Sequence, residues 1–415
     1  MLSLTNIWRK SILFIQQYGF DFACYLIVLG LLFSRAILSI SCFLLVFTAI
    51  IANGNKPLPR VKIYLLVFPI IYFFYLTSFW NTEDYSHYFR IIFKNLTLLI
   101  IPIAFWLNPK INSKKNIITL FFYGSLIILI ITSFEVLTHY KASIEALKHS
   151  KNTLTIYTNF SSEFSVLSAI AFILFFDDTI KSKKSVIKIV AFSSLILFFV
   201  SLHLTALRFS LLLIYFFIFV YLIFHLINKK QFKSLILFII SITLLPILFY
   251  QFITSFKVKV DNTYRDMEVL IQNKNPNDYS ISQRAVALRC ATAVINKNIW
   301  FGVSPADAEN AMQVEYRKRP YLLTLENRIF VHNQFFLFAL SFGLPITLII
   351  IGLLIYFSLT VIKENPILIY IILSFFIYWM IENGLEKQIS LAAFLFFVFF
   401  LKQKSLDRNQ KNSLS

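Results

Sequence analysis

The sequence predicts an all-α protein, a polytopic membrane protein of about 12 transmembrane helices with one large periplasmic loop containing short helices. Three observations predict it. Hydrophobic residues make up 58% of the chain and charged residues only 14%, with a mean hydropathy of +0.73, against about a quarter charged in a soluble chain. The apolar residues gather into runs of about 20, the length a helix needs to cross a hydrocarbon layer of about 30 Å. Most lysines and arginines sit in the short connections between those runs, where charge fixes orientation.

The elements follow in order. Residues 1–17, MLSLTNIWRKSILFIQQ, place Leu4, Ile7, Trp8, Ile12 and Ile15 on one helical face, which predicts an interfacial helix anchored by Trp8. No small-residue cleavage site follows a short apolar region, so the segment is not read as a removable signal. Spans are expected at Tyr18–Ser34, Ala36–Asn53, Lys62–Trp80, Ile91–Leu107, Asn116–Leu137, Glu163–Phe176, Val186–Leu202, Phe209–Ile227 and Ser234–Ile253. Three more are expected at Asn333–Leu359, Ile367–Trp379 and Leu391–Leu401, the last two short. With the N-terminus inside, cations in the cytoplasmic connections far outnumber those in the short outer loops, which satisfies the positive-inside rule. The expected organisation is therefore 1–253 for the interfacial helix and nine spans, 254–332 for the loop, 333–401 for three spans, and 402–415 for a cytoplasmic tail.

The loop interrupts the apolar pattern. It carries Asp261, Asn262, Arg265, Asp266 and Glu268, then the turn-rich stretch Asn273–Asp278. A helical stretch, Ser282–Asn296, and a loop signal, NIWFGVSPAD, follow. Loops of this length in compact proteins are usually functional.

Composition also excludes function classes. A net charge of +19 invites a nucleic-acid reading, but the cations are dispersed between membrane spans and form no basic patch. Cys24, Cys42 and Cys290 show no CxxC spacing and read as small buried hydrophobes. Eight glycines provide no phosphate-cradling motif. No HxxxH or HExxH pairing exists; Asp177 and Asp178 fall on the cytoplasmic side, and Asp307 and Glu309 read as solvated acids, so no metal and no cofactor is expected.

Chemistry concentrates at the outer side. Arg208 stands at the outer end of the eighth span, where a charge commonly faces a bundle interior or a water-filled cavity, although an arginine there can also simply snorkel. Arg284 and Arg289 lie on the loop helix, five residues apart and so on different faces. His332 sits where the loop re-enters the membrane, and Asn333 is placed to cap the next helix. Glu382 and Glu386 lie on the same side in possible support. A membrane enzyme that moves a sugar from a lipid diphosphate needs fixed cations or a metal for the leaving group and a base for the attacking hydroxyl. Arginine suits the first task and histidine the second. The reading requires both guanidinium groups and the imidazole to serve one external cavity.

The arrangement resembles the O-antigen ligase and polymerase superfamily of bacterial envelope glycosyltransferases. The likeness rests on TALRFSLL around Arg208, SQRAVALRCATAVINKNIWFGV around Arg284, VHNQFF around His332, and ALSFGLP beyond it. It implies a metal-independent transferase of the GT-C type in the bacterial inner membrane, with its active site facing the periplasm. Arg208 and Arg284 would hold the diphosphate of an undecaprenyl-diphosphate-linked glycan donor, and His332 would deprotonate the acceptor. Arg289 and Asn333 would support them. For a ligase the acceptor is a lipid A–core sugar; for a repeat-unit polymerase it is another lipid-linked glycan. Family members usually carry more glycine than WFGVSPAD after the arginine helix, and here Gly302 stands alone. The outer loop Thr138–Ser162 holds lysines but no arginine, which leans toward the ligase. A transporter or flippase is the alternative from another class: Pro246 and Pro345 can break helices, but the halves show no repeat.

Overall fold

The computed structural model describes residues 13–54, 57–107, 111–148, 161–182, 184–228, 230–318, 321 and 323–412, and among these it is helical with no strand. The expected N-terminal interfacial helix falls almost wholly outside the described residues; from Ile15 to Gly19 a π-helical turn leads into the first long helix. The helices are α1 (Phe20–Phe33), α2 (Arg35–Asn53), α3 (Val67–Thr77), α4 (Tyr85–Asn95), α5 (Thr97–Trp106), α6 (Lys114–Thr138), α7 (Tyr140–Lys148), α8 (Ser161–Lys181) and α9 (Ser185–Leu204). They continue with α10 (Arg208–Asn228), α11 (Phe232–Phe252), α12 (Thr254–Ile271), α13 (Ser280–Lys297), α14 (Ala308–Lys318), α15 (Gln334–Ile362), α16 (Ile367–Ile381) and α17 (Gln388–Asn412).

Helix covers every predicted span. Among the described residues, seven stretches are long and apolar enough to cross a membrane, and eight if the bent pair α11–α12 counts as one. Arg208–Ile223, Ile367–Ile381 and Gln388–Gln403 are shorter apolar helices. The sequence expectation for α8 falls short of that standard because Glu163, Asp177, Asp178 and Lys181 lie within the helix itself. The last helix continues to Asn412, well past the expected end at Leu401. In the large loop the sequence anticipated short helices but located only one, Ser282–Asn296; among the described residues three α-helices form, α12, α13 and α14. Alternating charges and apolar residues in α12 and α14 conceal an amphipathic pattern that a hydropathy window averages away.

The chain folds as two compact units. One comprises Met1–Phe121, Ala287–Tyr321 and Phe330–Ser415. Its core is aromatic: Phe68 meets Phe357 at 4.8 Å and Phe394 at 6.0 Å between ring centroids, and Trp379 packs on Phe394 at 4.8 Å. Such pairs hold helices together where lipid removes most of the hydrophobic driving force. The other unit comprises Phe122–Val286 and Leu322–Ile329. There Phe122 stacks on Phe175 at 3.9 Å, and the hydroxyls of Ser168 and Ser210 meet at 2.8 Å, joining α8 to α10. The three cysteines are buried.

Two irregularities interrupt the helices. Between Ile239–Phe252 and Thr254–Ile271 the chain bends by 103°. Because Ile253 is extended, α12 turns away from α11, and Tyr250 donates to Asp261 at 2.8 Å across the corner. The second is a break in α15 at Gly343, with φ 79° and ψ 168°. Pro345 has no N–H to give Ser341 O, and Leu344 N turns away from Leu340. The freed groups are taken up by the loop turn before α14: Val303 N donates to Leu340 O at 2.8 Å, Ser304 N to Ser341 O at 3.0 Å, and Leu344 N reaches Ile299 O at 2.8 Å. Irregular backbone at membrane depth survives only when protein satisfies it in this way.

Candidate functional site

In the second unit a group of cations forms around the start of α10. The chain leaves α9 through Ala206 in the left-handed region, φ 52°, with Ala206 N donating to His203 O and Leu207 N to Leu202 O. That is a Schellman cap, a job normally given to glycine. It sets Arg208 as the first residue of α10, exposed, with its guanidinium over α12. There Nη1 donates to Thr263 Oγ1 and, at 3.5 Å, to Lys259 O. Thr263 in turn donates to Lys259 O at 2.7 Å.

Arg284, half-buried on α13, and Asp266, on α12, both act electrostatically on Arg208. The Asp266 carboxylate is largely committed elsewhere: it accepts Ile281 N at 2.7 Å, Ser282 N at 3.0 Å and Ser282 Oγ at 2.9 Å. It therefore caps α13 and presents Arg284 from that helix's first turns.

Lys259 was missed in the sequence because a lone lysine in a polar segment reads as solvated. Its side chain is buried, only 7% exposed. Burial, and then the neighbouring Arg208 charge, lowers its pKa to about 8. Among the described residues no carboxylate pairs with it. Arg208 thus has two cations close enough to act on it, Lys259 and Arg284, with the Asp266 carboxylate as its acidic neighbour; such a concentration of positive charge suits an anion.

The first unit holds the histidine. Asn333 caps α15, its Oδ1 accepting Phe335 N at 3.0 Å and Phe336 N at 3.1 Å, while its Nδ2 donates to Met380 O at 2.9 Å. His332 precedes it with a side chain 30% exposed. Its Nδ1 lies 3.1 Å from Glu382 Oε2, and Lys387 Nζ donates to the same oxygen at 2.7 Å. A carboxylate only accepts, so Nδ1 carries a hydrogen; in the neutral imidazole the lone pair then belongs to Nε2. Gln334 Oε1 accepts Leu385 N at 2.8 Å, which ties the mouth of α15 to the turn bearing Glu386. Glu386 accepts from Tyr75 at 2.5 Å and from Lys94 at 3.0 Å. Of Glu382 and Glu386, Glu382 is the one that meets the imidazole.

The remaining sequence candidates fall elsewhere. Arg289 is exposed on α13. Asp307 is not a solvated acid: it accepts Glu83 N at 2.8 Å and Asp84 N at 3.0 Å. It lines a cavity of about 700 Å³ with Asn81, Asn298 and Glu315. The polar groups there satisfy one another, as Lys297 does Glu315 at 2.6 Å. Among the described residues no three His, Cys, Asp or Glu side chains gather as metal ligands.

Compared with known proteins, the chain matches no curated relative. Residues 193–351 match the family model described as O-antigen ligase. That stretch contains Arg208, Lys259, Arg284, His332, Asn333 and Gly343, and stops short of Glu382. The match takes in residues 193–351 of a 415-residue chain and shows that this stretch is similar to the O-antigen ligase family.

Proposed function

We propose that this chain is an O-antigen ligase-like glycosyltransferase of the bacterial inner membrane, moving a glycan from undecaprenyl diphosphate to a lipid A–core acceptor on the periplasmic side. In this reading the chain crosses the membrane twelve times, with both termini cytoplasmic and residues 254–332 outside. Arg208 and Arg284 hold the donor diphosphate. His332 Nε2 takes the proton of the acceptor hydroxyl, whose oxygen attacks the anomeric carbon. The bond from that carbon to the diphosphate oxygen breaks, and the lipid diphosphate leaves with its charge matched by the cations. A single displacement of this kind inverts the anomeric centre.

The observation that carries the reading is the electrostatic coupling of Arg208 to both Lys259 and Arg284. The histidine, with one nitrogen held by Glu382, supports the assignment of a base. Deleting the gene tests it: long glycan chains should disappear from lipopolysaccharide while lipid-linked polymer accumulates. Loss of the polymer itself would favour the repeat-unit polymerase instead. Unchanged lipopolysaccharide and unchanged lipid-linked glycan would remove both.

A further inference from the structure

We propose that the loop turn Ile299–Val303 is seated in the outer leaflet of the bilayer, with Trp300 and Phe301 packed against phospholipid chains. The turn lies outside every apolar segment of the sequence, between the polar helices α13 and α14. Yet its backbone is fastened to α15 at Leu340, Ser341 and Leu344. At 1.5 Å per residue, Ser341 lies about 12 Å along the helix from the Asn333 cap.

Gln334–Ile362 runs for 29 residues across its break at Gly343, against about 20 that a hydrocarbon layer of about 30 Å takes up. Centred in that layer, the stretch enters hydrocarbon about four or five residues from each end, before Ser341. The turn is therefore pinned at or below the boundary where headgroups give way to acyl chains.

The side chains fit that depth. Trp300 is 69% exposed and Phe301 78%, and Ile299 is partly exposed beside them. The polar groups of the turn face inward: Gly302 O accepts Asn81 Nδ2 at 3.0 Å, and the Ser304 hydroxyl meets that of Thr82 at 2.6 Å. An exposed tryptophan and phenylalanine in adjacent positions of a polar loop would be costly in water, and aromatic residues concentrate at membrane interfaces. The surface continues onto exposed apolar side chains of the apolar helix α15, since Leu344 and Leu348 are exposed and Leu344 N bonds Ile299 O directly. Trp80, next to Asn81, is exposed on the neighbouring element.

The experiment uses the full chain in phosphatidylcholine nanodiscs. Emission is compared between wild type and Trp300→Phe, with quenching by acyl-brominated lipid and by aqueous iodide. The Trp300 contribution should fall several-fold with brominated lipid and stay unchanged with iodide. A second variant, Phe301→Cys, carries a nitroxide; Cys24, Cys42 and Cys290 are buried and remain unlabelled. Its collisions with oxygen should exceed those with a water-soluble nickel chelate. Quenching of Trp300 by iodide, or preferential access of nickel to position 301, overturns the proposal. So does protection from both reagents, which would mean that protein covers the turn.

Discussion

Gly302 and Gly343 interlock: a Cβ on Gly302 would stand 2.4 Å from the carbonyl carbon of Ser341, and one on Gly343 would stand 2.4 Å from the carbonyl oxygen of Trp300. Each also has a positive φ, 66° and 79°. Both contacts are with backbone, which cannot swing aside. Alanine at either position is expected to cost more than about 2 kcal/mol, from the steric clash and the left-handed conformation together. The midpoint of thermal unfolding in detergent and the yield of inserted protein would measure it; an alanine variant as stable as the parent would contradict the packing.

Replacing His332 with alanine removes the proposed base while leaving the Asn333 cap in place. Transfer is expected to fall by about 10²- to 10⁴-fold, the usual contribution of a general base, with unfolding unchanged. Glu382→Gln keeps a hydrogen-bond partner for Nδ1 but not an ionised one, and a loss of about tenfold or more is expected. Radiolabelled transfer by purified protein distinguishes the two, and wild-type rates in either variant would dismiss the histidine's role.

Lys259 should trade stability against binding. Its pKa drops from the ordinary 10.5 to about 8 because burial and Arg208 disfavour the charge, a cost of up to about 3 kcal/mol. Lys259→Met is therefore expected to raise the unfolding midpoint and to weaken binding of a prenyl diphosphate about tenfold. A variant that binds the diphosphate as well as wild type would show Lys259 to be a packing residue only.

The same lysine predicts a pH dependence with a definite sign. Between about 8 and 10.5 the unfolded chain binds the proton that the folded one has released, so stability contributed by this group rises with pH across that window. Binding of the anion requires the charged form, so affinity should fall as pH rises above about 8. Titration calorimetry with the prenyl diphosphate at pH 7 and pH 9 checks the second half, and denaturant unfolding the first.

Ala206 occupies a position made for glycine. Ala206→Gly keeps both cap hydrogen bonds and removes the left-handed penalty, so a gain of about 0.5–1 kcal/mol is expected with little change in activity. A destabilised variant would mean the cap geometry is not what limits this corner.

Hydropathy made the helices legible because each predicted run of apolar residues had to become helix once lipid was the solvent. It did not reveal the break in α15, where Gly343 and Pro345 look like ordinary members of an apolar stretch and only the partner turn makes them necessary. Arg208 stood out because a charge at a span end is conspicuous, whereas Arg284 alone reads as a solvated loop charge and was picked out by the family resemblance. Lys259 did not stand out, since burial of a lysine is decided by α12 folding back at a corner that Ile253 makes. Glu382 was visible as an outer acid, but its contact with His332 depends on the Asn333 cap and the Gln334–Leu385 hydrogen bond, neither of which has a sequence spacing to announce it.

The repair of α15 by a preceding turn also constrains how the protein is made. In the proposed topology Ile299–Ser304 must be exported before Gln334 is threaded, so the patch for the broken helix is waiting outside when that helix arrives. Until the two meet, Leu340 and Ser341 carry unmatched carbonyls that hydrocarbon would reject. Shortening the loop should then first appear as a failure of membrane assembly, before any defect in glycan transfer could be scored.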